Sequence, residues 1–169
     1  MLKKLLKRKT ATKASSSTQL TISSSQLPVT AADSAGLDYS SQRELLAGAD
    51  VKARLLLAQS QDTMPEILYY LAGDQEAEVR QAVAANPATP VQADELLVDD
   101  ADDHVRGDLA LKIARLLPDM PDDEQEKVRE LTFDMLKRLA SDQLPRVRAL
   151  LSEELKNSRD VPVPIIRQL

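Results

Sequence analysis

The chain has 169 residues, a length that accommodates one domain, or one domain with a tail. Apolar residues make up 43% of it but aromatic residues only 2%, so a core must be built from Leu, Ile, Val and Ala, which is a composition typical of helical proteins. With no Cys, one His and four Gly, the sequence excludes disulfides and thiolate metal sites, and it holds no phosphate-cradling loop motif. No run of 18 apolar residues is present, so no segment predicts a transmembrane helix.

Charge divides the chain into two parts. Six of the 22 basic residues lie in residues 1–32, which contain no acid, so the remainder holds 16 basic residues and all 27 acidic ones. An acidic body does not attract a polyanion, and we therefore expect no nucleic-acid partner. Residues 10–30 include eleven Ser or Thr and little clustered apolar surface. We predict a flexible basic arm over residues 1–37 and a helical repeat domain over residues 38–169.

The first nine residues, MLKKLLKRK, admit three interpretations. They are a solvated tail, a transit peptide, or a weak and reversible anchor on an anionic membrane. We expect a cytoplasmic chain, which in the last case is also peripheral to the membrane. The membrane-contact residues would then be Leu2, Lys3, Lys4, Leu5, Leu6, Lys7, Arg8 and Lys9.

The remainder of the chain contains a repeat. The landmarks Leu71, Asp74 and Arg80 recur 26 residues later and again after a further 42 residues. The recurring residues are Leu97, Asp100 and Arg106, then Leu139, Asp142 and Arg148. A degenerate copy lies upstream, where Arg54, Ala58 and Thr63 align with Arg80, Ala84 and Thr89 at the same 26-residue shift.

Each copy predicts two helices joined by a tight turn. In the clearest copy Pro65 starts the first helix and Gly73 ends it. Asp74 is then expected to cap the second helix, which stops before Pro87. Such short pairs cannot bury their apolar stripes alone, so stacking is required. The predicted class is all-α, a short α-solenoid. The inward-facing residues are expected to be Ile67, Leu68, Leu71, Ala72, Val79, Ala82, Val83, Val105, Leu109, Ile113, Val147, Leu150, Leu151 and Leu155.

The Leu, Asp and Arg spacing, with Val before each Arg, resembles a HEAT-type repeat. The short period and the segments AVAANPATP and DDADDHVR are similar to the leucine-rich repeat variant, and the combination resembles a family of HEAT-like repeat proteins of alphaproteobacteria. The resemblance covers about residues 40–169. It implies a structural ladder between neighbouring units, formed by Asp74, Arg80, Asp100, Arg106, Asp142 and Arg148. The iron–sulfur segment of the founding leucine-rich repeat variant protein is Cys-rich, so that cofactor is not implied here.

Two groups are candidate partner-binding residues. Tyr69 and Tyr70 flank the apolar stripe of their helix, where they either bind a partner or pack on the adjacent unit. Residues 164–169 read as the beginning of another first helix, and an apolar patch there would mark an interface with another protein or a second copy of the chain. That patch would consist of Ile165, Ile166 and Leu169.

The sequence does not predict catalysis. The run Asp99 to His104 is rich in carboxylates but lacks the Gly and distal Glu of a calcium loop, so a structural role at a helix start is favoured over a metal site. We therefore expect no cofactor and no metal. The leading hypothesis is a non-enzymatic module or scaffold that binds a protein or peptide, basic or mixed in charge. The alternatives are a peripheral membrane adaptor and an accessory or regulatory subunit of an enzyme.

Overall fold

The computed structural model describes residues 38–48, 50–117 and 126–156, together with positions 165 and 167. These residues form eight α-helices and no β-strand, which confirms the predicted all-α class. The helices are α1 (Tyr39–Ala47), α2 (Val51–Gln59), α3 (Pro65–Leu71), α4 (Ala77–Ala85), α5 (Val91–Leu97), α6 (Asp103–Leu116), α7 (Glu126–Ala140) and α8 (Pro145–Leu155).

Local chemistry explains several helix boundaries. Helices α3 and α8 each begin at a proline, whose missing N–H would have no partner in the first turn. The carboxylates of Asp38 and Asp50 cap α1 and α2 by accepting N–H bonds from the first turn. Helix α4 ends at Ala85, since Pro87 cannot continue it.

The expected capping by the repeat aspartates was wrong by two residues. The N-cap positions of α4, α6 and α8 are Glu76, Asp102 and Leu144. Each repeat aspartate precedes the N-cap by two residues and accepts its backbone N–H: Asp74 from Glu76 (2.9 Å), Asp100 from Asp102 (2.9 Å) and Asp142 from Leu144 (2.8 Å). This geometry folds the turn and leaves both carboxylate oxygens within reach of another helix pair.

The helices pack in two rows. Along one row α4 lies between α2 and α6, and α6 lies between α4 and α8. Along the other row α5 lies between α3 and α7. The helices of each pair also contact each other across the rows: α1 with α2, α3 with α4, α5 with α6 and α7 with α8.

One continuous apolar cluster runs between the rows. It contains the residues that the helical periodicity predicted, for example Leu68, Val83 and Leu109, all fully buried. Ala82 and Leu150 are only half-buried, although the same periodicity placed them inward. Full burial of one Leu is worth about 2 kcal/mol relative to exposure, so this cluster is the main stabilising element.

Several predicted residues lie outside the described part of the chain. These are residues 1–37, with the membrane-contact candidates Leu2 to Lys9, and the terminal Ile166 and Leu169. Ile165 is described, and the expectation that it lies on an exposed patch was wrong, because its side chain is fully buried in the core cluster. Within the described ranges, none of the helices combines the length and the hydrophobicity needed to cross a bilayer.

Candidate protein-binding surface

Arginine–aspartate pairs link successive helix pairs at one edge of the molecule. In each pair the Arg Nε donates to one carboxylate oxygen over 2.6 Å, and Nη2 donates to the other oxygen over 2.9–3.3 Å. Such two-pronged contacts fix both the distance and the orientation of the partners. The three pairs are Arg54–Asp74, Arg80–Asp100 and Arg106–Asp142.

The same guanidinium groups also bind their own turns. Nη1 donates to the backbone carbonyl six residues earlier, from Arg80 to Asp74 (2.8 Å) and from Arg106 to Asp100 (2.6 Å). One arginine therefore ties the turn of its own helix pair to the turn of the next pair. Arg148 makes the equivalent bond to the carbonyl of Asp142 (2.5 Å), and no described carboxylate pairs with it.

Titration behaviour reflects these contacts. Partial burial alone would raise the pKa of Asp74, Asp100 and Asp142, but the hydrogen bonds from arginine and from the turn N–H outweigh it, so each pKa lies below its ordinary value. The same bonds raise the pKa of Arg80 and Arg106. The carboxylates are thus held in their charged form.

The first contact of this series uses Arg54, which sequence reasoning left out of the predicted ladder. The signal was available, because Arg54 precedes Arg80 by 26 residues, as Arg80 precedes Arg106. The upstream copy lacks an aspartate at the turn, and Gly48 stands there instead. The pairing requires only the arginine of that copy and the Asp74 of the next one.

A second set of polar contacts joins neighbouring pairs near the C-terminal ends of α2, α4 and α6. The Nδ2 of Asn86 donates to the carbonyls of Ala58 (2.8 Å) and Ser60 (2.9 Å). Lys112, 26 residues after Asn86, donates from Nζ to the carbonyl of Asn86 (3.3 Å). The two side chains perform the same bridging role in successive helix pairs.

Lys112 also forms a buried ion pair that the sequence analysis missed. Its Nζ lies 2.5 Å from Oδ1 of Asp94, and the two side chains are 4% and 9% exposed. Burial raises the pKa of Asp94 to about 6 against the opposing attraction of Lys112, and burial likewise lowers the pKa of Lys112. Asp94 lies 26 residues after Leu68 and 42 before Leu136, so it takes a position that is a buried leucine in both neighbouring copies.

A groove of about 1,010 Å³ opens beside the turn at Asp74. Its walls come from the end of α1, the start of α2, the outer side of α3, the following turn and one residue of α5. Its lining includes Leu46, Glu66, Tyr69, Tyr70, Glu76 and Leu96. We call this feature the tyrosine groove.

The tyrosine groove combines apolar surface with negative charge. Tyr69, Tyr70 and Leu96 are 49%, 65% and 51% exposed, so the tyrosines do not pack into the adjacent helix pair. Arg54 lines the groove too, but its charge is compensated by Asp74. Within the described part of the chain Glu66 and Glu76 form no salt bridge.

The carboxylate run at Asp99–His104 holds structural contacts. Asp100 pairs with Arg80, Asp102 caps α6, and Asp103 forms an exposed pair with Arg146. His104 is exposed and lies 3.5 Å from the same arginine. Over the described ranges, His, Asp and Glu side chains nowhere converge in a group able to hold a metal ion.

Comparison with protein-family models, with curated proteins and with solved structures finds no match for this chain.

Proposed function

We propose that the chain is a non-enzymatic protein-interaction module built as a short α-solenoid of HEAT-like or leucine-rich-repeat-variant type. The observation that supports this most strongly is the repetition of one contact, with the same atoms, at three successive turns from Arg54 to Asp142. Equivalent contacts between successive helix pairs are what a stack of similar units requires. Such a stack exposes a large surface for its size, which suits binding a partner.

The distribution of unusual titratable groups supports a binding role over a catalytic one. Perturbed pKa values mark active sites when the groups face a cleft. Here Asp94, whose pKa burial raises to about 6, is almost fully enclosed against Lys112, and the ladder aspartates are engaged by arginines.

The test is recovery of a partner by the full-length chain and reconstitution of the complex from purified components. A matched bait carries Leu68→Asp and Leu109→Asp, which place charges in the core and abolish the fold. We expect a protein that binds the wild-type chain at fixed stoichiometry and does not bind the unfolded bait. The proposal fails if every captured protein binds both baits equally, or if the purified chain turns over a substrate.

A second candidate function is that of a peripheral membrane adaptor. The observation that favours it is the N-terminal sequence MLKKLLKRK, in which Leu2, Leu5 and Leu6 stand among five cations. Sedimentation with vesicles containing anionic lipid, comparing the full chain with one that lacks residues 1–13, tests it. Equal sedimentation of the two chains would reject the adaptor.

A further inference from the structure

We propose that the tyrosine groove binds a basic segment of a partner protein, in which Lys or Arg residues alternate with apolar anchors. This inference rests on the proposed function and names the surface and the partner chemistry through which it acts. Apolar surface, charge and spacing within the groove each constrain the occupant.

Exposed apolar surface is concentrated in the groove. Of the large apolar side chains that are exposed in the described part of the chain, Tyr69, Tyr70 and Leu96 line this one groove, with Leu46 half-buried beside them. Tyrosine places a large contact area on a side chain with two rotatable bonds, so little conformational entropy is lost when a partner covers it. A polar or highly charged peptide would leave this area unused, and apolar anchors in the partner are therefore required.

The groove also carries negative charge. Arg54 is paired with Asp74, and the two other carboxylates of the groove, Glu66 and Glu76, form no salt bridge with any described residue. Both carboxylates are exposed, so they attract cations without a large desolvation cost. The faces of Tyr69 and Tyr70 attract Lys and Arg as well, by cation–π interaction. An acidic segment would be repelled by the same groups.

The spacing of the apolar side chains also constrains the occupant. Tyr70 on α3 and Leu96 on α5 are 26 residues apart, so they take equivalent positions on neighbouring helices that pack together. Packed helices lie about 8–10 Å apart, and an extended chain advances about 3.3 Å per residue. Two apolar anchors about three residues apart in an extended segment would match the two sites, with the cations between and beside them.

The experiment selects random 12-residue segments from a display library on the full-length chain. A groove variant, Tyr69→Ser with Tyr70→Ser, serves for counter-selection, and the leading segment is synthesised and titrated by fluorescence anisotropy. Tyr39→Ser is the matched control, because Tyr39 is also an exposed tyrosine (43%) but does not line the groove. A charge variant, Glu66→Gln with Glu76→Gln, tests the contribution of the two carboxylates to binding.

We expect enriched segments that combine Lys or Arg with Leu, Ile or Phe about three residues apart. The dissociation constant should rise about tenfold or more in the groove variant and stay within about twofold in Tyr39→Ser. The charge variant should bind more weakly and show a shallower dependence on salt.

Three outcomes would overturn the inference: acidic or uncharged enriched segments, binding that the groove variant retains, or no segment enriched over that variant. A photo-cross-linker at position 70 that reacts only with residues 1–9 of this chain, in the same or a second copy, would also overturn it. If a reconstituted partner still binds the groove variant, the groove assignment fails while the interaction module stands. Failure to recover any partner would reject the module itself.

Discussion

At the residue scale, Asp100 illustrates how one carboxylate holds two elements. Its carboxylate accepts hydrogen bonds from Nε and Nη2 of Arg80 on α4, and from the backbone N–H of Asp102 at the start of α6. Removing it leaves a largely buried guanidinium and an unpaired turn N–H. We expect Asp100→Ala to lower the free energy of unfolding by about 2–3 kcal/mol, measured by urea denaturation.

The neighbouring Asp99 supplies the control for that substitution. Its side chain is 69% exposed, and its salt bridge with Arg138 lies at the surface. Asp99→Ala should therefore change stability by no more than about 1 kcal/mol. If the two substitutions lowered the free energy of unfolding equally, the Arg80–Asp100 contact would stabilise the fold no more than the surface salt bridge of Asp99 does.

The effect of Asp100→Ala has a predicted pH dependence. The pKa of Asp100 in the folded chain lies below its ordinary value of 3.8, because hydrogen bonds from Arg80 and the turn outweigh its partial burial. Its contribution is therefore present above about pH 4 and is lost as pH falls through the lower, folded value. The stability difference between wild type and Asp100→Ala should shrink in acid; a difference that grew in acid would contradict the assignment.

The buried pair of Asp94 and Lys112 gives a different expectation. Replacing only one partner strands a charge in the core and should cost about 3–5 kcal/mol. Replacing both partners, by Asp94→Leu with Lys112→Met, removes both charges. The change at position 94 restores the buried leucine that the neighbouring copies have at the equivalent positions, Leu68 and Leu136. The double variant should be equal to wild type or more stable by about 1–4 kcal/mol, measured by urea denaturation.

The pH dependence of this pair runs opposite to that of the ladder. Burial raises the pKa of Asp94 to about 6 in the folded chain, so folding favours its protonated form. Stability from this group is present below about pH 4 and is lost as pH rises towards 6. The advantage of the double variant over wild type should accordingly grow between pH 4 and pH 6 in urea titrations. A constant advantage over that range would show that Asp94 titrates normally.

At the scale of elements, Gly107 lies where α6 packs against α8. A Cβ at this position would lie 3.3 Å from Cδ1 of Leu150, the flexible end of a half-buried side chain. Glycine within a helix costs about 1 kcal/mol relative to alanine. Because Leu150 is able to move slightly, we expect Gly107→Ala to raise the free energy of unfolding by up to about 1 kcal/mol.

A bulkier substitution at the same position separates packing from helix propensity. Gly107→Ile adds atoms that Leu150 cannot avoid by a small movement, so the α6–α8 packing must open, at a cost of about 1–3 kcal/mol. Thermal unfolding followed by circular dichroism measures both variants. If both raised stability, the contact with Leu150 would place no limit on the size of residue 107.

The helices themselves were largely predictable, because their signals are local. Pro65 and Pro145 start α3 and α8, Pro87 follows the end of α4, and the buried positions follow the helical period. The placement of Asp74 two residues before the N-cap was not predictable, since both placements put a carboxylate at the turn and differ only in which N–H it accepts.

The polar contacts of the core were not predictable from the sequence, for another reason. Ser60, Asn86 and Lys112 are equivalent by the 26-residue spacing, yet they share no side-chain chemistry. What recurs is a backbone carbonyl that accepts from the next unit: that of Ser60 accepts from Asn86, and that of Asn86 accepts from Lys112. Every residue type has this carbonyl, so the sequence does not reveal the contact. Asp94 was equally hidden, because a polar residue at an apolar position signals a buried pair only when its partner is known to lie within reach.

At the scale of the whole molecule, the main contacts between the described helices join members of one pair or of adjacent pairs. α6 packs on α4 and α8, and α2 reaches the helices that follow it through α3 and α4. In such an arrangement, weakening one junction should loosen the units beyond it more than those on the far side. The ladder offers two equivalent junctions at which this can be tested, Arg54–Asp74 and Arg106–Asp142.

Arg106→Met removes the donor to Asp142 while retaining an apolar stem of similar length. We expect faster amide hydrogen exchange in α7 and α8, resolved by mass spectrometry of peptic fragments, with little change in α2 and α3. Arg54→Met is the mirror control and should accelerate exchange in α1 and α2 while sparing α8. Uniform acceleration along the chain by both substitutions would mean that the helices unfold as one cooperative unit, in which the junctions do not act separately.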